Sequence, residues 1–406
     1  MRSFPILFLL LVFAFTAQGY SQEEPLLLDD VIRQARENNP EIQSARQRYL
    51  SVKTRITQSG NLPDPVVSYE RDTANKMNMW GVSQEVPFWG RLYLRSKISK
   101  TESQSIEQAQ YRAKELEVIS NTRKAYFMLF VADKSIQVYN ETVSLLNNMA
   151  KAVEARYITG TGSRGDLLRL QIELTKMENM LKMLQQEKET SQAMLNILMN
   201  NKPEEAIGDP VQPEKLEFSY SVEELQKLAA ENSPELKGAK YTVEKSRLSA
   251  SLSKREYLPS LMLGYKNYYM SDSGDKAGDL SMLSLNVPLW FWKQRAMFIE
   301  SKQDLRMAEY EYKNLENMTL YGIKSLYTKV KTYQQLINQY NTAMIPQAKQ
   351  LMDVSRESYI ANRTDFIDLL DSQRTLLNLN LELYQYIGEY WKNLAELERA
   401  VGKELK

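Results

Sequence analysis

Asp365, Asp368 and Asp371 recur at every third position of TDFIDLLDSQ and are the residues of this chain best placed to handle charge. On a helix, steps of three drift slowly around one face. Copies of the chain gathered about an axis would turn such a row into an acidic ring, and acidic rings favour cations. A solvated helix face with an acidic N-terminal bias is the plainer reading, and the helix dipole accounts for Asp365 by itself. Met177, Met180 and Met183, and Met77 with Met79, carry the thioether sulfur of soft-metal sites. Core packing is the reading we take for them, because zero histidine argues against a dedicated metal relay. Zero histidine and zero cysteine also remove thiol nucleophiles, disulfides, Cys/His zinc sites, histidine triads and imidazole acid–base chemistry. An enzyme would need a carboxylate pair or a Ser/Lys arrangement in a cleft, and no such motif stands out. We expect no catalytic residue, no cofactor and no metal.

The elements that position these residues follow from composition and punctuation. Lys+Arg 52 against Asp+Glu 51 gives a net charge of +1, too balanced to imply a nucleic-acid partner. Charged content of 25% and a mean hydropathy of -0.48 exclude a polytopic helical membrane protein, which needs repeated apolar runs of about 20 residues. Thirteen prolines and 15 glycines are few for 406 residues, so long uninterrupted elements are expected. Arg2 followed by FPILFLLLVFAFTA reads as a secretory signal over 1–21, with cleavage before Tyr20 or Gln22.

The rest of the chain is a duplicated unit. LLLDDVIRQARENNPEIQSAR recurs as YSVEELQKLAAENSPELKGAK, NLPDPVVSYE as YLPSLMLGYK, VPFWGR as VPLWFW, and YITGTGSRGDLLRLQ as YIANRTDFIDLLDSQ. We assign 22–200 to the first repeat, 201–219 to a crossover linker broken by Pro203, Pro210 and Pro213, and 220–406 to the second repeat. Ser221 with Glu224 is a capping box, and Asn39-Pro40 and Ser233-Pro234 each place an N-cap before an N1 proline. Residues 90–157 contain no proline and predict one helix of about 100 Å. A turn at Gly160, Gly162 and Gly165 sends the chain back through 166–200. Residues 293–360, kinked at Pro346, and a return from Asp365 repeat the pattern, with Asn362 taking the left-handed turn position.

Four strands are expected near 65–71, 77–88, 259–270 and 279–290. Trp80, Val82, Val86 and Phe88 share one face of the second, opposite Gly81, Ser83 and Glu85, while Leu283, Leu285, Val287 and Leu289 oppose Ser284 and Asn286 in the fourth. Trp89, Trp290 and Trp292 cluster where strand gives way to helix, the placement of an interfacial aromatic girdle. Four strands cannot close a barrel and open edges are not tolerated in lipid, so the chain must oligomerise. The fold class is therefore mainly α with a small β part.

With its doubled NPE/SPE helix start, paired VP-aromatic strand ends and the two tip segments, the mature chain resembles the TolC-type outer-membrane efflux family over essentially its whole length. The resemblance implies a homotrimer with a 12-stranded transmembrane β-barrel in the outer membrane of a Gram-negative bacterium and a long periplasmic α-barrel continuous with it. Its partners would be outer-membrane lipid, a periplasmic adaptor and an inner-membrane efflux pump. The resemblance further implies a gate, in which hydrogen bonds and ion pairs near the periplasmic tip keep the tunnel closed and acidic rings line the constriction. By motif, Asp368 and Asp371 fall on the acidic ring positions, Tyr359 on the tip tyrosine and Asp166 on the first-repeat acid. Arg363 lies one place from the family's tip arginine, and the adaptor-contacting apolar-Gly-apolar turn reads Thr159-Gly160-Thr161 here. A periplasmic adaptor or other extended coiled-coil protein is the alternative, but adaptors offer one helical hairpin and this chain has two.

Overall fold

The computed structural model describes residues 25–212 and 218–405. The signal segment at 1–21 and Pro213 lie outside the described residues. The short helix α1 (Leu28–Asn38) meets α2 (Pro40–Gly60) at Asn39, whose side chain accepts from Glu41 N at 2.9 Å and Ile42 N at 3.4 Å. The same amide donates to the Leu198 carbonyl at 3.0 Å, so the cap also ties the repeat's first helices to its last. In the second repeat α6 (Val222–Asn232) opens with the Ser221/Glu224 capping box, and α7 (Pro234–Arg255) follows. Ser233 differs from Asn39: its hydroxyl turns to the Glu235 carboxylate at 3.1 Å instead of capping the backbone.

The strands β1 (Val66–Asp72), β2 (Met77–Val86), β3 (Ser260–Met270) and β4 (Lys276–Asn286) form one antiparallel sheet in chain order. β4 starts and stops earlier than its sequence pattern suggests. Pro288 has no N–H to give a ladder, so 287–290 leave the sheet before the helix begins. The register settles which residues share a face. Val82 pairs with Tyr265 and Tyr265 with Ser281, while Gln84 pairs with Leu263 and Leu263 with Leu283. Side chains alternate along each strand, so Val67, Trp80, Val82, Leu263, Leu283 and Leu285 lie on one apolar face. The opposite face holds Ser68, Gly81, Ser83, Ser284 and the ion pair of Lys266 with Glu70 at 2.6 Å.

From the sheet the chain runs away as α3 (Arg91–Ile106), a π-helical turn at Glu107–Arg112 and α4 (Ala113–Ile158), one unbroken rod. The second repeat runs as α8 (Phe291–Gln339), a π-turn at Tyr340–Met344 and α9 (Ile345–Ile360). The irregularity expected at Pro346 is therefore taken up just before it. A widened turn supplies the room that a proline ring denies to the preceding carbonyl. Neither π-turn is visible in the apolar spacing. The return helices are α5 (Arg164–Leu198) and α10 (Phe366–Val401).

Near the sheet the helices pack in the order α2, α3, α7, α8, and beyond mid-length in the order α5, α4, α10, α9. A mid-length core joins the two layers, with Phe127 stacked on Trp391 at 5.2 Å. Tyr126 is buried there and its hydroxyl bonds the carbonyls of Leu26 and Val211 at 2.8 and 2.9 Å, pinning the crossover to the rod. At the sheet end Arg91 is buried, and its guanidinium donates to the Arg255 carbonyl at 3.0 and 2.8 Å and to the Leu258 carbonyl. A cation thus sits against carbonyls at and just beyond the C-terminus of α7, locking the start of α3 to the end of α7.

Candidate functional site

The far end of the rods is built from two reversals of identical backbone design. After α4, Gly160 sits at φ +73, and the amides of Gly160 and Thr161 return to the carbonyls of Tyr157 and Arg156 at 3.1 and 2.9 Å. After α9, Asn362 sits at φ +58, and the amides of Asn362 and Arg363 return to Tyr359 and Ser358 at 3.0 and 2.9 Å. Both are left-handed helix ends that satisfy the last carbonyls internally. By position in the turn, Tyr157 therefore corresponds to Tyr359 and Asp166 to Asp368.

Equal backbones carry unequal side chains. Tyr157 is 44% exposed, whereas Tyr359 is 5% exposed in a layer with Val153, Leu170 and Leu369, its ring edge-on to Phe366 at 5.8 Å. Burial raises the Tyr359 phenol above its ordinary range, against the pull of the neighbouring Arg156 cation. Arg156 lies over that ring at 4.5 Å, donates to the Tyr359 carbonyl at 3.0 Å and to the Thr161 carbonyl at 3.4 Å, and bonds the Asn362 side-chain oxygen. Sequence reading did not find Arg156, because a cation in the last turn of a helix already has a use against the dipole.

A hollow of about 430 Å³ opens beside these contacts and is lined by Asp166, Tyr359, Arg363, Asp365 and Asp368 among others. The structure thus brings Asp166, Tyr359, Arg363 and Asp368 together and leaves Asp371 outside the hollow. Asp166 lies 3.8 Å from Arg169, and Arg363 makes no ion pair among the described residues. Asp365 at the N-cap of α10 and Asp368 and Asp371 on the helix are all exposed, with Phe366, Leu369, Leu370 and Gln373 buried behind them. The row continues to Arg374, whose fork holds Glu173 of α5 at 2.9 and 2.6 Å. Glu173 is only 3% exposed, and the Arg374 guanidinium holds its carboxyl below the usual range while the pairing raises Arg374. That ion pair is a second connection between the hairpins that the sequence did not reveal.

At the outermost turn Thr159, Gly160 and Thr161 are exposed. The Thr159 hydroxyl bonds the Ala155 and Arg156 carbonyls at 3.1 Å each and the Thr161 hydroxyl at 3.1 Å, so both threonines serve the turn itself. At the opposite end Trp89, Trp290 and Trp292 stand in solvent between sheet and helices, Trp89 at 91% exposure. Among the described residues no helix is long and apolar enough to cross a membrane, and no group of Asp and Glu could hold a metal.

Known proteins share this architecture. The sequence model of the family described as "Outer membrane efflux protein" matches residues 31–201 and 225–403. Outer membrane protein TolC of Vibrio cholerae is 21% identical over 408 residues, covering 92% of this chain and 90% of its own. Among solved structures, the CmeC outer membrane channel of Campylobacter jejuni superposes with a TM-score of 0.79 at 18% identity, covering 92% of this chain and 85% of that one. The open state of the MtrE outer membrane channel of Neisseria gonorrhoeae gives 0.78 at 16% identity, covering 93% and 89%. The two separate matches to one family model fall on the two halves of the chain. This chain belongs to the outer membrane efflux protein family, and it forms an exit duct in the outer membrane with a large helical part in the periplasm.

Proposed function

We propose that three copies of the chain close into one duct, that an inner-membrane pump and a periplasmic adaptor deliver cargo to its tip, and that the cargo leaves without chemical change. The sheet carries this reading. Its apolar face is exposed on one side, its ion-paired face lies on the other, and β1 and β4 leave both edges open. Open edges are not tolerated in lipid, and single-chain barrels begin at about eight strands, so three copies of four strands give twelve and close the ring. The helical layers end in edges of the same kind. Tyr310 and Tyr321 on α8, Ile172 on α5 and Val354 on α9 are exposed apolar positions suited to a neighbouring copy. So are Met180 and Met183 on α5, which the sequence assigned with Met177 to core packing but of which only Met177 is buried.

Closing the ring would gather Asp368 and Asp371 about the axis at the tip. The turn at Thr159, Gly160 and Thr161 would then be the surface offered to the adaptor, and Trp89, Trp290 and Trp292 would sit at the lipid headgroups. Topology tests this directly. The chain has no cysteine, so Thr161→Cys and Arg363→Cys each introduce a single thiol. Both should resist membrane-impermeant maleimide in intact cells and react once the outer membrane is opened. Labelling of either from the cell exterior would place the tip on the wrong side and overturn the reading.

A further inference from the structure

We propose that Arg156 is the clasp that keeps the two tip hairpins of each chain together, a role that rests on reading the tip of the proposed duct as a gate that these hairpins hold closed. One guanidinium touches both reversals: it bonds the Thr161 carbonyl in its own turn, and the Tyr359 carbonyl and Asn362 side chain in the other, while lying over the Tyr359 ring. Outward movement of one hairpin breaks all the contacts to the second turn at once. The acceptors lie more than 200 residues away in sequence, so the clasp joins one repeat to the other.

The arrangement breaks the repeat symmetry in a directed way. The position equivalent to Arg156 is Ser358, which is too short to reach back. The position equivalent to Asn362 is Gly160, and the left-handed backbone needs nothing more than glycine. Asparagine tolerates the same conformation and adds a side-chain oxygen where the guanidinium arrives. Every partner of Arg156 is neutral, since it forms no ion pair among the described residues. It therefore acts by shape and by its planar fork, which lysine does not reproduce.

Single-channel recording in planar bilayers, on variants first shown to assemble as the wild type does, separates the contributions. Arg156→Ala should raise the open population roughly tenfold, the effect of losing charged hydrogen bonds from a two-state equilibrium. Asn362→Gly keeps the turn and removes one acceptor, so it should open the tip less. Added to Arg156→Ala it should contribute nothing further. Arg156→Lys should fall between Arg156→Ala and wild type. Tyr359→Phe keeps the ring face and the carbonyl and loses only the phenol's bond to the guanidinium, so it should open the tip less than Arg156→Ala. Unchanged conductance in Arg156→Ala, or opening by Tyr359→Phe as large as by Arg156→Ala, overturns the clasp. In those cases, multivalent-cation block that still depends on Asp368 and Asp371 leaves the gated tip standing, and its absence removes both.

Discussion

Replacing Asp368 and Asp371 together by Asn is expected to abolish the cation preference of the channel and its block by multivalent cations. The two side chains stand on the exposed face of α10 with no ion pair among the described residues, so their charge is available to the passage. At roughly 8 Å each carboxylate contributes about 0.5 to 2 kcal/mol to a monovalent cation, depending on how much water remains. The losses add over the ring, so the cation-to-anion permeability ratio should fall by about tenfold or more, toward unity. Asn nearly matches Asp in volume, and the packed side of α10 is untouched, so the conductance at rest should stay low. Selectivity and block that survive the double substitution would show these aspartates to be an ordinary solvated helix face.

The second large effect belongs to Glu173. Removing one partner of a buried ion pair leaves the other without compensation, at about 3 to 5 kcal/mol when both are fully buried. The Arg374 side chain is 44% exposed, so water screens part of this, and a loss of about 1 to 3 kcal/mol is expected for Glu173→Ala. The sign of the pH dependence follows from the lowered carboxyl. The pair's contribution is complete above the unfolded value of 4.5 and is lost as pH falls through the lower folded value. Glu173→Gln should therefore melt below the wild type at pH 7, and the gap should narrow as the wild type is acidified toward pH 3. The freed Arg374 would also lie beside Asp371 and should weaken the cation block. Equal melting temperatures at pH 7 would mean that the pair adds nothing to the junction of α5 and α10.

The parts of this molecule that the sequence made legible are governed by local rules. Asn39-Pro40, the Ser221/Glu224 box, and Gly160 and Asn362 each encode a helix boundary within a few residues. The alternation in β2 and β4 encodes two apolar faces, although only the register through β3 shows that they are the same face. What stayed hidden depends on partners far along the chain. Arg91 at the end of α7, Arg156 over Tyr359 and Arg374 on Glu173 each join the two repeats. In a one-dimensional reading, each is a charged residue on a helix and looks solvated. The π-turns escaped because one extra residue in a long rod only shifts the apolar stripe, and β4 was misplaced because its apolar alternation continues past Pro288.

On this reading the chain builds a duct only as three copies. Native mass spectrometry of the assembly extracted in detergent, with the wild-type sequence and no cross-linker, tests it most directly. One dominant species of three chains is expected, dissociating only when collisional activation is raised. A stable single chain in detergent that retains its β-sheet by circular dichroism would contradict it, because four strands with two open edges would then be persisting in an apolar environment unpaired.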